Sequence, residues 1–348
     1  MMRTQRLGRE HDPELAAFLD GLGARLPHVL AYHYPFYRNM LEGCGVGSPL
    51  YLGAFRDGRL VGLLPGFIRE SEGMAVYSSL PFFGPNSGVI CAPGADEAAI
   101  HDALLGGIMD ELTARGDVLS ASFYTPFEHD TASHYRRLLP EALEVERFTQ
   151  FIPIGEAPVW DNTKRRSIRA AQKAGVTVDT EPTEERMRTF YDIYVENCGQ
   201  AGIPLKPRAC VEALAAEARA GGRAKIYFAL REDTVIAGLL VLWAGRTVSY
   251  YIPCTATEAR TLQPGTLLID RAVAEARAHG LTHWNFEGSP SRESGVYEFK
   301  RRWGAVEGTY SIFVHPFREK SVFKSLGAGT LAERFPWFYV YPFQKLDD

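Results

Sequence analysis

A pattern that occurs twice, about half a chain apart, is the strongest constraint on the fold of this 348-residue sequence. The segment Tyr51-LGAFRDGRLVGLLP has a counterpart in Tyr227-FALREDTVIAGLLV, and the two align without a gap. Each copy is an apolar run, a short polar turn and a second apolar run, which predicts a β-hairpin. The positions identical in both copies are, in first-copy numbering, Tyr51, Asp57, Gly62, Leu63 and Leu64. The repeat predicts two similar domains.

The order of elements after each hairpin also repeats. A strand that starts at Met74 in the first half corresponds to one that starts at Thr247 in the second. A helix follows each strand, over about 96–115 in the first half and about 265–279 in the second. The chain is too long for one ordinary hydrophobic core, which agrees with a duplication.

Glycines mark the ends of these two helices. Gly116 and Gly280 lie where a left-handed C-terminal cap belongs, and the next strands begin near Val118 and Thr282. We therefore predict an α/β protein of two tandem domains, each with a mixed β-sheet flanked by helices. Proline and glycine interrupt the pattern just after residue 150, which predicts domains over 1–150 and 151–315.

Composition excludes several classes of function. The formal net charge of −4 and the isoelectric point of about 6.2 argue against a dedicated DNA-binding protein. None of the five cysteines forms a CxxC pair, so we predict reduced thiols and no metal site. The sequence shows no signal peptide and no apolar run long enough for a transmembrane segment, so we predict a cytoplasmic protein.

One candidate for chemistry is the start of the helix near residue 265. Pro264 can open a helix, and Gly265 allows a ligand to approach the backbone. Free N–H groups there suit a phosphate or carboxylate. The structural alternative is an ordinary capped helix start. Tyr251, on the preceding strand, is a further candidate for substrate contact.

The second candidate is the stretch that follows the last strand of the repeat, where α/β folds often carry function. Glu287 is a candidate general base for an amine nucleophile and Tyr297 a candidate proton donor. Lys300 can stabilise an oxyanion or a carbonyl oxygen during acyl transfer. In the alternative reading, Phe299 and Trp303 are core residues and the cations beside them are solvated.

Two further groups of side chains are candidates for substrate binding. Arg165, Arg169 and Lys173 share one face of a predicted helix and can contact phosphate, or can form a solvated basic face. His33 and Tyr37 lie in an aromatic segment that can line an acceptor groove between the domains. Their alternative is packing in a core or a domain contact.

The motif Gly295-x-Tyr-x-Phe-Lys-x-x-Trp-Gly304, preceded by the strand His283-WNFEGS, resembles the Fem-type aminoacyltransferases and the wider GNAT-like proteins that share their fold. The basic segment Lys164-RRSIRAAQKAGVTV resembles the helix that opens the second domain in that family. The resemblance implies two GNAT-like domains, with the C-terminal segment 316–348 joining the first. It also implies that Lys300 stabilises the carbonyl oxygen of the acyl donor and that Phe299 lines the site.

The resemblance further implies transfer of an aminoacyl group from aminoacyl-tRNA to an amine, with a cell-wall or polysaccharide precursor as acceptor and no tightly bound cofactor. The second domain is the predicted catalytic half. Two alternatives stay open. One is a CoA-dependent N-acyltransferase that uses acyl-CoA and acts on a sugar amine or a small metabolite, although Gln263 stands where a CoA-binding loop carries a glycine. The other is a non-catalytic binding protein that retains the fold.

Overall fold

The computed structural model describes residues 2–82, 88–157 and 160–346, and it divides into two compact units. Unit 1 comprises Met1–Thr149 together with Gly308–Asp348, and unit 2 comprises Gln150–Glu307. Both boundaries fall inside strands, whereas the sequence placed them at 150/151 and 315/316. A change of unit within a continuous strand leaves no turn residue in the sequence to mark it.

The structure assigns the following elements. The strands, in chain order, are β1 Met2–Arg6, β2 Ser48–Pro49, β3 Leu52–Arg56, β4 Arg59–Leu64, β5 Phe67–Ser71, β6 Met74–Ser78, β7 Ile90–Cys91, β8 Val118–Tyr124, β9 Leu143–Pro153, β10 Thr177–Asp179, β11 Ala224–Arg231, β12 Thr234–Ala244, β13 Thr247–Thr255, β14 His283–Gly288 and β15 Val306–Pro316. The α-helices are α1 Asp12–Gly23, α2 Pro35–Gly43, α3 Glu97–Arg115, α4 Ala132–Leu138, α5 Asn162–Lys173, α6 Glu184–Ala201, α7 Arg208–Arg219, α8 Pro264–Ala278, α9 Gly295–Arg301 and α10 Lys320–Arg334.

Unit 2 is built on the strand order β10-β11-β12-β13-β14. Neighbouring strands are antiparallel up to β13, and β13 runs parallel to β14 after the crossover through α8. The inner surface of α8 is apolar and packs on the sheet, with Leu268, Ala272 and Ala276 buried. This β-α-β crossover brings the ends of β13 and β14 and the start of α8 to one edge of the unit.

Unit 1 has a different sheet arrangement around the first copy of the repeat. Its hairpin β3-β4 lies in the sheet β1-β3-β4-β7, whereas the second hairpin, β11-β12, shares a sheet with β13 and β14. Pro65 and Gly66 end β4, and the extra strand β5 then pairs with β6. The predicted fold class is confirmed as mixed sheets flanked by helices, but the strand-by-strand repeat is not strict.

Local turn chemistry follows the sequence prediction closely. Asp57 and Gly58 have φ of 51° and 76°, and Glu232 and Asp233 have φ of 50° and 63°. Two consecutive positive φ values give the turn that matches the twist of a tight hairpin. Gly280, with φ of 80°, follows α8. The duplicated hairpins were therefore predicted correctly at the level of the backbone.

Candidate active site

The parallel strands β13 and β14 separate at the edge of unit 2 where the site candidates lie. They pair only from Thr247↔His283 to Ser249↔Asn285, although β13 continues to Thr255. The ladder between β12 and β13 also shifts at this point, because Leu240 pairs with Ile252 and Val241 with Tyr250. Tyr251 is the bulged residue, and bulges often re-aim side chains beside functional sites. Beyond Ser249, β13 therefore presents backbone that β14 does not pair.

A cavity of about 580 Å³ lies at this opening. Tyr250, Pro253 and Thr255 line it from β13, Gly265 from the start of α8 and Phe299 from α9. Most of its wall is apolar. The sequence candidates Gly265 and Phe299 thus face one cavity within unit 2.

The first turn of α8 carries an unusual backbone conformation. Gln263, the residue that caps the helix, has φ of 58° and ψ of 35°, and Pro264 opens the first turn. Gln263 therefore adopts the left-handed conformation that glycine enters at the lowest steric cost. A Cβ added to Gly265 would lie 3.4 Å from Thr255 Oγ1, so the helix start leaves space beside its N–H groups.

Lys300 is buried within unit 2, with 4% of its surface exposed. Its Nζ donates to the backbone oxygens of Glu287, at 3.1 Å, and Gly288, at 2.6 Å. An ammonium group has three donors, and in the described part of the chain the third one meets no acceptor. Burial lowers the pKa of Lys300 to about 8, and the Glu287 carboxylate opposes this shift. The ammonium is fixed by main-chain oxygens and keeps one N–H available.

Glu287, the last residue but one of β14, adopts a left-handed conformation, with φ of 64°. Its carboxylate accepts a hydrogen bond of 2.9 Å from Asn285 Nδ2, and its own N–H donates to Asn285 Oδ1 at 3.0 Å. Burial lowers the pKa of Lys206, and the charges of Cys198 and Glu287 oppose this shift. The ammonium of Lys206 lies 5.0 Å from the ring centre of Tyr251. Glu287 is therefore an oriented carboxylate near the buried ammonium of Lys300 and the half-buried ammonium of Lys206.

Tyr297 has a different environment from the proton donor that the sequence suggested. Its hydroxyl donates to Glu307 Oε1 at 2.6 Å, and Arg292 binds the same carboxylate at 2.8 Å. The hydrogen bond to Glu307 raises the pKa of Tyr297. The structure thus commits the phenol proton to Glu307, which is a poor arrangement for donating it to a leaving group.

Helix α5 leaves the predicted basic face exposed, as in the alternative of a solvated face. Arg165 and Arg169 are exposed, and Arg165 bonds Asn162 Oδ1 at 2.7 Å. Lys164, Ile168 and Ala171 are the buried residues of this helix. Lys164 was identified only as part of a basic segment, although its spacing to two apolar residues at i+4 and i+7 is the signal of a buried face.

The aromatic candidates near the N-terminus lie inside unit 1. His33 and Tyr37 are both fully buried. Leu30 N–H donates to Nδ1 of His33 at 3.0 Å, and burial lowers the pKa of this imidazole to about 3. Neither side chain is presented to a groove in this structure, which matches the packing alternative for this segment.

Residues 2–82, 88–157 and 160–346 hold no group of His, Cys, Asp and Glu side chains arranged to bind a metal ion. In the same ranges, no helix has the length and apolar character required to cross a membrane.

Part of the sequence matches a family model, and the fold matches solved structures. Residues 161–301 match the family model of the acetyltransferase (GNAT) domain. The crystal structure of FemX aligns with 89% of this chain and 96% of its own, at a TM-score of 0.69 and 14% identity. No curated protein sequence matches the chain significantly.

Two other solved structures share the fold over nearly the whole chain. The C-terminal domain of a putative lysylphosphatidylglycerol synthetase from Agrobacterium fabrum covers 95% of this chain and 99% of its own, with a TM-score of 0.60 and 11% identity. A tandem GNAT protein from the clavulanic acid biosynthesis pathway covers 92% of this chain and 99% of its own, with a TM-score of 0.56 and 12% identity. Residues 161–301, which lie in unit 2, therefore match the GNAT domain, and the chain as a whole shares its fold with FemX and with a tandem GNAT protein.

Proposed function

We propose that unit 2 transfers an activated acyl or aminoacyl group to an amine acceptor, with Lys300 as the residue that stabilises the oxyanion. One observation carries this proposal. The Lys300 ammonium is buried, is held by the carbonyls of Glu287 and Gly288, and keeps one N–H donor that meets no acceptor among the described residues. Its neighbour Phe299 lines the cavity at the opening between β13 and β14. A fixed cation out of bulk water stabilises developing negative charge far better than a solvated one.

The reaction needs no covalent enzyme intermediate. The acceptor amine attacks the carbonyl carbon of an ester or thioester, a C–N bond forms, and the C–O or C–S bond to the carrier breaks. Lys300 donates its free N–H to the carbonyl oxygen as that oxygen becomes negative. Glu287, oriented by Asn285, takes the proton that the attacking amine loses. The leaving hydroxyl or thiol group of the carrier takes up a proton, which balances the reaction.

Aminoacyl-tRNA is the first candidate donor. The Phe299-Lys300 motif and the fold that the chain shares with FemX support it. The shared fold with a lysylphosphatidylglycerol synthetase domain also fits aminoacyl transfer. The acceptor in this proposal is an amine on a cell-wall or polysaccharide precursor, and the reaction takes place in the cytoplasm, where charged tRNA is found.

Acyl-CoA is the second candidate donor, and the start of α8 favours it. Gln263 adopts there the left-handed conformation, and Gly265 leaves room in the cavity wall. Helix N-termini of this kind bind phosphate groups through their free N–H donors. In this version the protein is a CoA-dependent N-acyltransferase that acts on a sugar amine or a small metabolite.

A transfer assay with two donors tests the proposal. The protein is incubated either with acetyl-CoA or with bulk tRNA charged with labelled amino acids, and with glucosamine or a lysine-containing peptide as the amine. Lys300→Met should lower the transfer rate roughly 100-fold or more, the usual effect of removing an oxyanion donor. Lys324→Met, which removes an exposed lysine in unit 1, is the matched control and should leave the rate unchanged.

Three results contradict the proposal or change its donor. Equal transfer by wild type and Lys300→Met removes Lys300 from the chemistry. Binding of both donors without any transfer by the wild type favours a non-catalytic binding protein. If transfer survives ribonuclease treatment and requires acetyl-CoA, the donor is acyl-CoA and not aminoacyl-tRNA.

A further inference from the structure

A second cavity of about 590 Å³ lies in unit 2, beside the first one. The first residues of α5 form one wall, the start of α8 another, and α9 the third. Gln263, Thr266 and Phe299 line both cavities. These three side chains therefore form a common wall between the first cavity, where the acyl group would lie, and the second cavity. The proposed acyl transfer makes no use of this second space.

Lys164 is the buried cation of the second cavity. It is 9% exposed, and its Nζ lies 4.9 Å from the ring centre of Phe299 and 4.6 Å from that of Trp303. The two rings attract the positive charge but accept no ordinary hydrogen bond. Within residues 2–82, 88–157 and 160–346, Nζ has neither a hydrogen-bond acceptor nor an ion-pair partner. Burial lowers the pKa of Lys164, as expected for an ammonium that lacks acceptors.

Hydroxyl groups surround the same space. Thr163 and Ser167 on α5 and Thr266 on α8 line the cavity, and their hydroxyls bond to nothing else that the structure describes. Each of these hydroxyls can therefore donate a hydrogen bond to a ligand. An ammonium and three hydroxyls around one cavity suit a tetrahedral group with several acceptor oxygens.

The carboxylates at this cavity are already occupied. Glu298 is bound by Arg301 and by Arg302, at 2.6 Å and 2.9 Å. Asp161 caps α5 by accepting from the N–H of Lys164 at 2.7 Å. Three cationic and two anionic side chains line the cavity, so its formal charge is positive. The balance favours an anion.

We propose that the second cavity binds a phosphate group of the acyl donor through Lys164 Nζ and the hydroxyls of Thr163, Ser167 and Thr266. This inference rests on the proposed function, since it names the part of the donor that is held while the acyl group lies in the first cavity. The shared wall of Gln263, Thr266 and Phe299 allows one molecule to occupy both spaces. CoA and tRNA both supply phosphate, so the experiment separates these two sources.

Binding measured by titration calorimetry tests the inference without any turnover. The probes are CoA, pantetheine, which lacks phosphate, deacylated bulk tRNA and inorganic pyrophosphate. Lys164→Met should weaken binding of the phosphate-bearing donor and of pyrophosphate roughly tenfold or more, the loss expected for a charge-assisted hydrogen bond. Pantetheine should bind both proteins alike, and Lys324→Met should bind every probe as the wild type does.

Two other variants show whether a loss of binding comes from misfolding, and whether this inference can hold when the catalytic proposal fails. Ser167→Ala removes one hydroxyl only, and it should weaken phosphate binding roughly threefold with an unchanged melting temperature. Lys300→Met should lower the transfer rate roughly 100-fold or more and keep pyrophosphate binding, which distinguishes the two proposals. If Lys164→Met and Ser167→Ala bind pyrophosphate and both donors as tightly as the wild type does, the inference is wrong. Absence of pyrophosphate binding to the wild type overturns it as well.

Discussion

Lys300 is held in place by two main-chain oxygens, and burial sets how tightly it holds its proton. The pKa of Lys300 is lowered to about 8, so its ammonium loses the proton as the pH rises through that value. We expect the transfer rate at saturating donor, corrected for the free-amine fraction of the acceptor, to fall above about pH 8. Lys300→Met should show a low rate with no inflection there. A wild-type rate that stays level to pH 10 contradicts a role for the charged form.

The same group affects stability over a defined pH range. Its pKa in the folded chain is about 8, against 10.5 for an ordinary lysine, so between these values the unfolded chain binds the extra proton. The contribution of Lys300 to the free energy of unfolding should therefore increase from pH 8 to 10.5. Urea unfolding of wild type and Lys300→Met across this range measures it. A difference between the two proteins that does not change with pH would show that Lys300 titrates normally.

Residue patterns in the sequence identified some of these side chains and missed others. Residue type and motif singled out Lys300 and Glu287, but burial and backbone partners require coordinates. Lys164 was identified only as the start of a basic segment, yet the helix turns it inward beside Ile168. The partner of Tyr297 is Glu307, which lies beyond a turn, and single-residue chemistry cannot identify such a partner.

At the scale of an element, helix α3 contains a matched pair of glycines. Gly116 ends the helix with φ of 72°, and Gly106 lies in its interior; an added Cβ meets no atom within 4 Å at either position. Gly116→Ala should destabilise the protein by about 1 kcal/mol through left-handed strain. Gly106→Ala should stabilise it by about 0.5–1 kcal/mol because alanine favours helix. Chemical unfolding of both variants measures these changes. If the free energy of unfolding changes with the same sign in both, the account is wrong.

Elements were predicted well where turn chemistry is local. The hairpin turns and the helix stops at Gly116 and Gly280 all follow from residues adjacent in sequence. The sheet to which a hairpin belongs depends on distant pairing, so the separate sheet of β3 and β4 was not predicted. Strand β5 was also missed, since it follows a Pro-Gly break that normally indicates a loop.

At the scale of the molecule, the C-terminal segment completes the core of unit 1. Phe323 on α10 is fully buried and stacks on Tyr341 at 4.3 Å between ring centres. Phe323→Ala should lower the free energy of unfolding by about 3–5 kcal/mol. Lys324→Ala, at an adjacent exposed position, should change it by less than about 0.5 kcal/mol. Thermal and urea unfolding measure both. Equal stability of the two variants would exclude a core role for α10.

The separation of β13 from β14 has a practical consequence for finding the natural substrate. Peptide amides on the open edge of β13 beyond Ser249 lack a neighbouring strand, so their protons should exchange rapidly with deuterated solvent. A molecule that enters the gap and bonds to this edge should slow that exchange, whatever reaction it undergoes. Mass spectrometry of peptides covering 250–255 can therefore screen metabolite or RNA fractions for binders before any turnover assay exists.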